Sequence, residues 1–183
     1  MPGTESLARR VEILTPYHLI SGDLTLVDQR FSDYLNDRQR ESTIALHHAT
    51  IARLTDPGTV IERHSTAVVF KPWVVATYEL FPAPVALSRR LYSYVKKDPH
   101  QVFVAMDGME VHGDLHSTHD FDLKRLVVTA TEDYFPLTNA SVRLYVNPDY
   151  ACRHDAVMVN IHRIRYIARV EAGQEAESIQ REA

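Results

Sequence analysis

Two stretches of this chain, 91 residues apart, carry the same pattern, and any fold must place both in equivalent settings. The first reads Ile20-Ser-Gly-Asp-Leu-Thr25, then a polar segment, then Thr43-Ile-Ala-Leu-His-His-Ala-Thr-Ile51. The second reads Val111-His-Gly-Asp-Leu-His116, then a polar segment, then Tyr134-Phe-Pro-Leu-Thr-Asn-Ala-Ser-Val142. The markers Gly22, Asp23 and Leu24 thus stand 91 residues before Gly113, Asp114 and Leu115. The same offset aligns Val11 with Val102, Leu35 with Leu126, Leu46 with Leu137, Ala49 with Ala140, Pro57 with Pro148 and Val68 with Val159, without a gap. The matches fall on glycine, proline and buried-type positions. Internal periodicity is the first thing a fold must satisfy, and a period this long, present only twice, points to a duplicated domain rather than a solenoid.

The copies are small. A unit of about 70 residues lies near the lower limit for a self-sufficient core, so the two are expected to pack together or to oligomerise. Their charge is balanced: residues 11–78 and 102–169 each sum to −2, within a chain of net charge −4. Neither copy is the basic body that duplex nucleic acid calls for. The single cysteine, Cys152, rules out an intramolecular disulfide and fits a reducing compartment. The N-terminus lacks the apolar run of a signal peptide, and no stretch of about 18 apolar residues is present. The expectation is a cytoplasmic protein that does not enter a membrane and needs no cofactor.

Taken in order, residues 10–80 form a first β unit. Val11 and Ile13 alternate with Arg10 and Glu12, and Ile20, Gly22, Leu24 and Leu26 share a face opposite Ser21, Asp23 and Thr25. Gly22, mid-strand, signals a bend or bulge. Arg30–Asn36 predicts one helical turn with Phe31, Tyr34 and Leu35 turned inward, capped by Ser32 or Asp33. Thr43–Leu54 reads as a strand, Asp56-Pro-Gly58 as a turn, and Ala67–Phe70 and Trp73–Leu80 as two short strands. Residues 81–100 are a Pro-flanked linker in which Leu87, Leu91 and Val95 recur at helical spacing. Residues 101–171 repeat the β unit, with Asp107-Gly108 as a tight turn, and residues 172–183 form an acidic, solvated tail. The predicted fold is mainly β: two tandem five-stranded small barrels of the SH3-like or Sm-like kind, joined by a short helical connector.

The run Ile20-Ser-Gly-Asp-Leu24, Arg30-Phe-Ser-Asp-Tyr-Leu-Asn36, Ile44-Ala-Leu46 and Ala49 resembles a bacterial domain of unknown function. That domain has a hydrophobic-x-Gly-x-Leu strand, an Arg-x-Ser-Asp-x-Leu-Asn turn and a Leu-x-x-Ala strand. Asp107-Gly108 with Val111-His-Gly-Asp-Leu115 also resembles the first signature of Sm-like proteins. The second copy departs from both. Phe121-Asp-Leu-Lys-Arg-Leu-Val127 replaces the helical-turn motif, and His162-Arg163 stands where the Sm second signature has Arg-Gly. The first resemblance implies a barrel and no reaction. The second implies oligomeric rings and RNA.

Several residues carry chemistry. His112, Asp114 and His116 project from one face of a strand, with His119 following, a donor set suited to Zn²⁺. The blander alternative, a solvated outer strand face, is favoured, since the first copy has Ser21, Asp23 and Thr25 there. His47 and His48, as neighbours on a strand, are expected on opposite faces. Asp23 and Asp114, at one repeat position, read as carboxylates that tie down a bulge rather than as an acid/base pair. Cys152 reads as a small buried hydrophobe, although Arg153 and His154 beside it could lower its pKa. Arg163, Arg165 and Tyr166 offer a stacking and charge platform for single-stranded nucleic acid, as do Arg89, Arg90, Lys96 and Lys97. Gly-rich phosphate loops, Cys-x-x-Cys pairs and nucleophile elbows are absent from the sequence.

The function expected is a non-enzymatic binding or scaffold module, with protein as partner, self-association included. An Sm-like nucleic-acid-binding regulator is the alternative, and a metal-dependent enzyme using His112–Asp122 a weaker one.

Overall fold

The computed structural model describes residues 6–27, 29–37, 39, 42–81, 97–117 and 122–170. Ten strands and two short helices follow in order: β1 (Ser6–Leu14), β2 (His18–Val27), α1 (Phe31–Asn36), β3 (Thr43–Arg53), β4 (Asp56–Phe70), β5 (Ala76–Glu79), β6 (Asp98–Met106), β7 (Met109–Ser117), α2 (Leu123–Thr129), β8 (Tyr134–Leu144), β9 (Asn147–Asn160) and β10 (Ile164–Arg169). Tight 3-10 turns at Lys71–Trp73 and Ile161–Arg163 link β4 to β5 and β9 to β10. The predicted helix within residues 81–100 falls largely on 82–96, and the acidic tail on 172–183. Both lie outside the described residues.

All ten strands belong to one antiparallel sheet, ordered β10-β6-β7-β8-β9-β5-β1-β2-β3-β4. The mainly β expectation holds. The expectation of two separate closed barrels does not describe the hydrogen bonding: β5 pairs with β9, so the ladder runs unbroken from one half into the other, and the sheet ends in β10 and β4. Each half contributes its strands in the same internal order, β5-β1-β2-β3-β4 and β10-β6-β7-β8-β9. β3 and β8 begin 91 residues apart and are each 11 residues long, and β2 and β7 also begin 91 residues apart.

Turn positions differ from the sequence expectation. Asp56-Pro-Gly58 opens the 15-residue β4, and the reversal is made by Leu54-Thr55 just before it. Leu54 is nearly fully buried and its N–H donates to the Tyr17 carbonyl, so packing fixes the turn ahead of the Pro-Gly signal. Asn147-Pro-Asp149 likewise opens β9, and the Tyr145 N–H donates to Gly108. Asp107-Gly108 turns as expected, with Gly108 at φ 79°. The predicted strand Ala67–Phe70 is the end of β4 rather than a separate element.

The apolar residues form two clusters. One gathers Val11, Ile13, Leu24, Leu26, Phe31, Leu35, Ile44 and Leu46 from the first half, together with Tyr134 and Met158 from the second. The other is built on Val104, Met109, Val111, Leu137, Val142 and Val157, together with Leu14, Leu19, Leu54, Val75, Ala76 and Tyr78 from the first. Each core therefore contains side chains of the other half. α1 buries Phe31 and Leu35, as the spacing predicts, but its N-cap is Arg30, with no side-chain cap. In α2 the Asp122 carboxylate caps the first turn by accepting from the Arg125 N–H. Among the described residues no helix is long and apolar enough to cross a membrane.

Candidate functional site

Gly22 and Gly113 mark one local device, built twice. Opposite Gly22 the β2–β3 register shifts between Ser21/Asp23, because three residues of β3 span the distance of two on β2. Opposite Gly113 the β7–β8 register shifts in the same way between His112/Asp114. The extra residue bends the partner strand, as a bulge does. It is carried by His48 (φ 48°) and Asn139 (φ 49°), the two non-glycine residues with positive φ among those described. Their side chains reach back to the aspartate of Gly-Asp-Leu: His48 Nδ1 lies 3.0 Å from Asp23 Oδ2, and Asn139 Nδ2 donates to Asp114 Oδ2 at 2.7 Å. Asp23 also accepts from Arg10, and the His48 and Arg10 contacts hold its carboxyl below the usual aspartate range. Both aspartates thus tie down a bulge, through the side chain of its extra residue. The bulge also corrects the expectation for His47 and His48. Alternation breaks there, and both imidazoles lie on the exposed side.

Among the described metal candidates, His112, Asp114 and His116 each have a separate partner. His112 lies 4.0 Å from Glu110 and edge-on to Phe103, His116 pairs with Thr138 at 2.7 Å, and Asp114 is held by Asn139. His119 is outside the described residues. Among the described residues no group of three or more His, Cys, Asp or Glu side chains is placed to hold a metal ion.

The arginine candidates among the described residues are already paired. Arg163 and Arg165 both bind Asp107, at 3.3 and 2.7 Å, and Arg163 also donates to the Pro72 carbonyl and stacks 4.9 Å over the Trp73 ring. Tyr166 is exposed and lies 5.7 Å from Phe103. Arg89, Arg90 and Lys96 fall outside the described residues. A platform built on Arg163 and Arg165 would share their guanidinium groups with Asp107.

The β5–β9 seam joins the halves through polar contacts that sequence reasoning missed. The Asn160 side chain, almost wholly buried, donates to the Val74 carbonyl at 2.8 Å, and its backbone N–H donates to Val75. The Tyr134 hydroxyl donates to the Lys71 carbonyl at 2.7 Å. Asn36 brackets the Tyr134 backbone with two 2.8 Å hydrogen bonds. Burial pushes the Tyr134 phenol well above its ordinary value. A cleft of about 500 Å³ opens beside these groups, with Leu35, Lys71, Pro72, Asp133, His162 and Arg163 among its walls. It carries both charge signs, and His162 is paired with Asp133 at 3.1 Å.

On the same seam, Tyr78 donates to Glu12 at 2.6 Å and lies near Tyr150 and Cys152. The His154 ring stacks on Tyr78 at 3.6 Å. Burial pushes the Cys152 thiol up and the His154 imidazole down. Cys152 is therefore a half-buried thiol whose setting disfavours the thiolate. Asn36, Tyr134 and Asn160 had no signal in the repeat, because the offset matches them to Val127, Thr43 and Val69.

The two sheet ends differ from the seam. Val159, on β9, is covered by β5 and 0% exposed, whereas Val68, its match on β4, is 56% exposed. Phe70, Ile61 and Val60 of β4 are exposed as well. At the other end β10 presents exposed Tyr166 and half-buried Ile167. Comparison of the chain with protein-family models, curated proteins and solved structures returns no match.

Proposed function

We propose that the chain is a non-enzymatic scaffold module, made of one small-barrel-like β unit written twice, whose working surfaces are the two terminal strands of its sheet. The observation that carries this reading is Val68. The same residue type at the same repeat position is sealed by a strand in one half and bare in the other. An unpaired, apolar strand edge is a template for main-chain pairing, and adding a strand to such an edge is a common mode of protein recognition. Soluble proteins blunt edges that have no partner with proline or charge. On β4 the charges Glu62 and Arg63 precede the run Ala67-Val-Val-Phe70, which has none. The nucleic-acid alternative draws less support, since Arg163 and Arg165 share Asp107.

The test is a comparison of baits in extract from the native host. Wild-type chain is set beside Val68→Lys, which places a charge on the edge without entering a core, and beside Tyr17→Ser, which alters an exposed residue of the β1–β2 turn. Proteins captured by wild type and Tyr17→Ser, further copies of this chain included, should be lost with Val68→Lys. An identical set from all three baits removes the edge reading.

A further inference from the structure

Within the chain, the fourth strand of one half pairs with the fifth strand of the other: β9 lies beside β5, with Val159 opposite Ala76 and Met158 opposite Thr77. The sheet's free ends are the remaining fourth and fifth strands, β4 and β10. Each end is thus the counterpart of one side of a joint that the molecule already makes. We infer that the partner of these edges is a second copy of this chain, docked head to tail, β4 of one copy on β10 of the next. This deepens the edge reading above and rests on it.

The internal joint fixes the register. Shifting Val159 back and Ala76 forward by 91 residues sets Val68 opposite Ile167, and the next pair is Ala67 opposite Ala168. Both positions are apolar on both strands, as they are at the seam except for Thr77. The pairing covers Val68 as β5 covers Val159. The polar fastening of the seam is not repeated, because Asn160 corresponds to Val69 and Tyr134 to Thr43. The outer joint is therefore the simpler and weaker of the two, held by main-chain bonds and apolar contact, and reversible with concentration. A joint between unlike edges closes into a ring or runs on as a filament, according to the rotation per copy.

Single-cysteine chains test this, in a Cys152→Ser background. Val68→Cys and Ile167→Cys are prepared separately and oxidised alone and mixed. Facing residues of paired strands lie within disulfide reach. Head-to-tail docking predicts a linked pair from the mixture and none from either variant alone. Native mass spectrometry of the unaltered chain provides an independent arm, expected to show multiples of 20.9 kDa that Val68→Lys reduces to the single chain. Only single-chain mass at every concentration, or Val68→Cys linking to itself, overturns the inference. If the chain stays single while Val68→Lys still loses partners from extract, the edge reading survives and the identity of the partner does not.

Discussion

His154 shows how a side chain's setting sets its response to pH. It stacks on Tyr78, and its Nε2 is buried with no hydrogen-bond partner among the described residues. Burial lowers its pKa from 6.5, while Glu12 and Asp155 act in the opposite sense. The unfolded chain takes up a proton near 6.5, and the folded chain does so only at lower pH. The stability tied to this group is therefore complete above 6.5 and declines as the pH falls below it. His154→Phe, which keeps the stacking and removes the titration, should lose less stability than wild type between about pH 7 and about pH 5. Urea midpoints at the two pH values measure this, and equal losses in both proteins would contradict it. Cys152 next door, read from the sequence as a small buried hydrophobe, is half-buried in the structure. The side chains that cross the seam were not legible in the sequence, since a lone Asn160 or Tyr134 in a strand carries no mark of the partner it will meet.

At the scale of elements, the bulged strand pair is the most readable part of the fold. Gly-Asp-Leu, the helical turn and Leu-x-x-Ala together placed β2, α1 and β3, because each rests on local chemistry: a glycine where strands approach, a turn with apolar residues inward, and alternation beyond. The approach is close. A Cβ on Gly22 would lie 2.7 Å from the Leu46 Cβ and 3.2 Å from the His47 carbonyl. Both neighbours are strand atoms with little room to yield, so Gly22→Ala should cost ~1–3 kcal/mol, the range for overpacking a filled site. A urea midpoint unchanged from wild type would show that the bulge relaxes around the added methyl. Which strand holds the extra residue could not be read. The left-handed positions are His48 and Asn139, and neither residue type announces itself within a β pattern. The Pro-Gly turn misled for a related reason: it describes local preference, and the burial of Leu54 outweighs it.

For the whole molecule, the sequence predicts two units and the structure is one sheet. Pairing between β5 and β9 depends on residues far apart in sequence, and only their side chains at the seam make it favourable. The cores are interleaved, with Tyr134 and Met158 in one and Leu14 and Leu54 in the other. The halves should therefore unfold together. Trp73, beside the seam, and the far-ultraviolet signal of the strands are expected to change in one coincident transition. Asn160→Ala strips a buried carbonyl of its donor and should cost ~1–3 kcal/mol. Two separated transitions in the wild-type protein would mean that the seam is a contact rather than a shared core.

The unbroken ladder from β5 to β9 has a numerical corollary. Fusing two units in one polypeptide makes their adjacency a matter of covalent structure rather than concentration, and it gives the fused joint its own polar residues while the outer ends keep another set. If copies join through β4 and β10 as inferred above, joints of two kinds alternate along the assembly, one within each chain and one between chains.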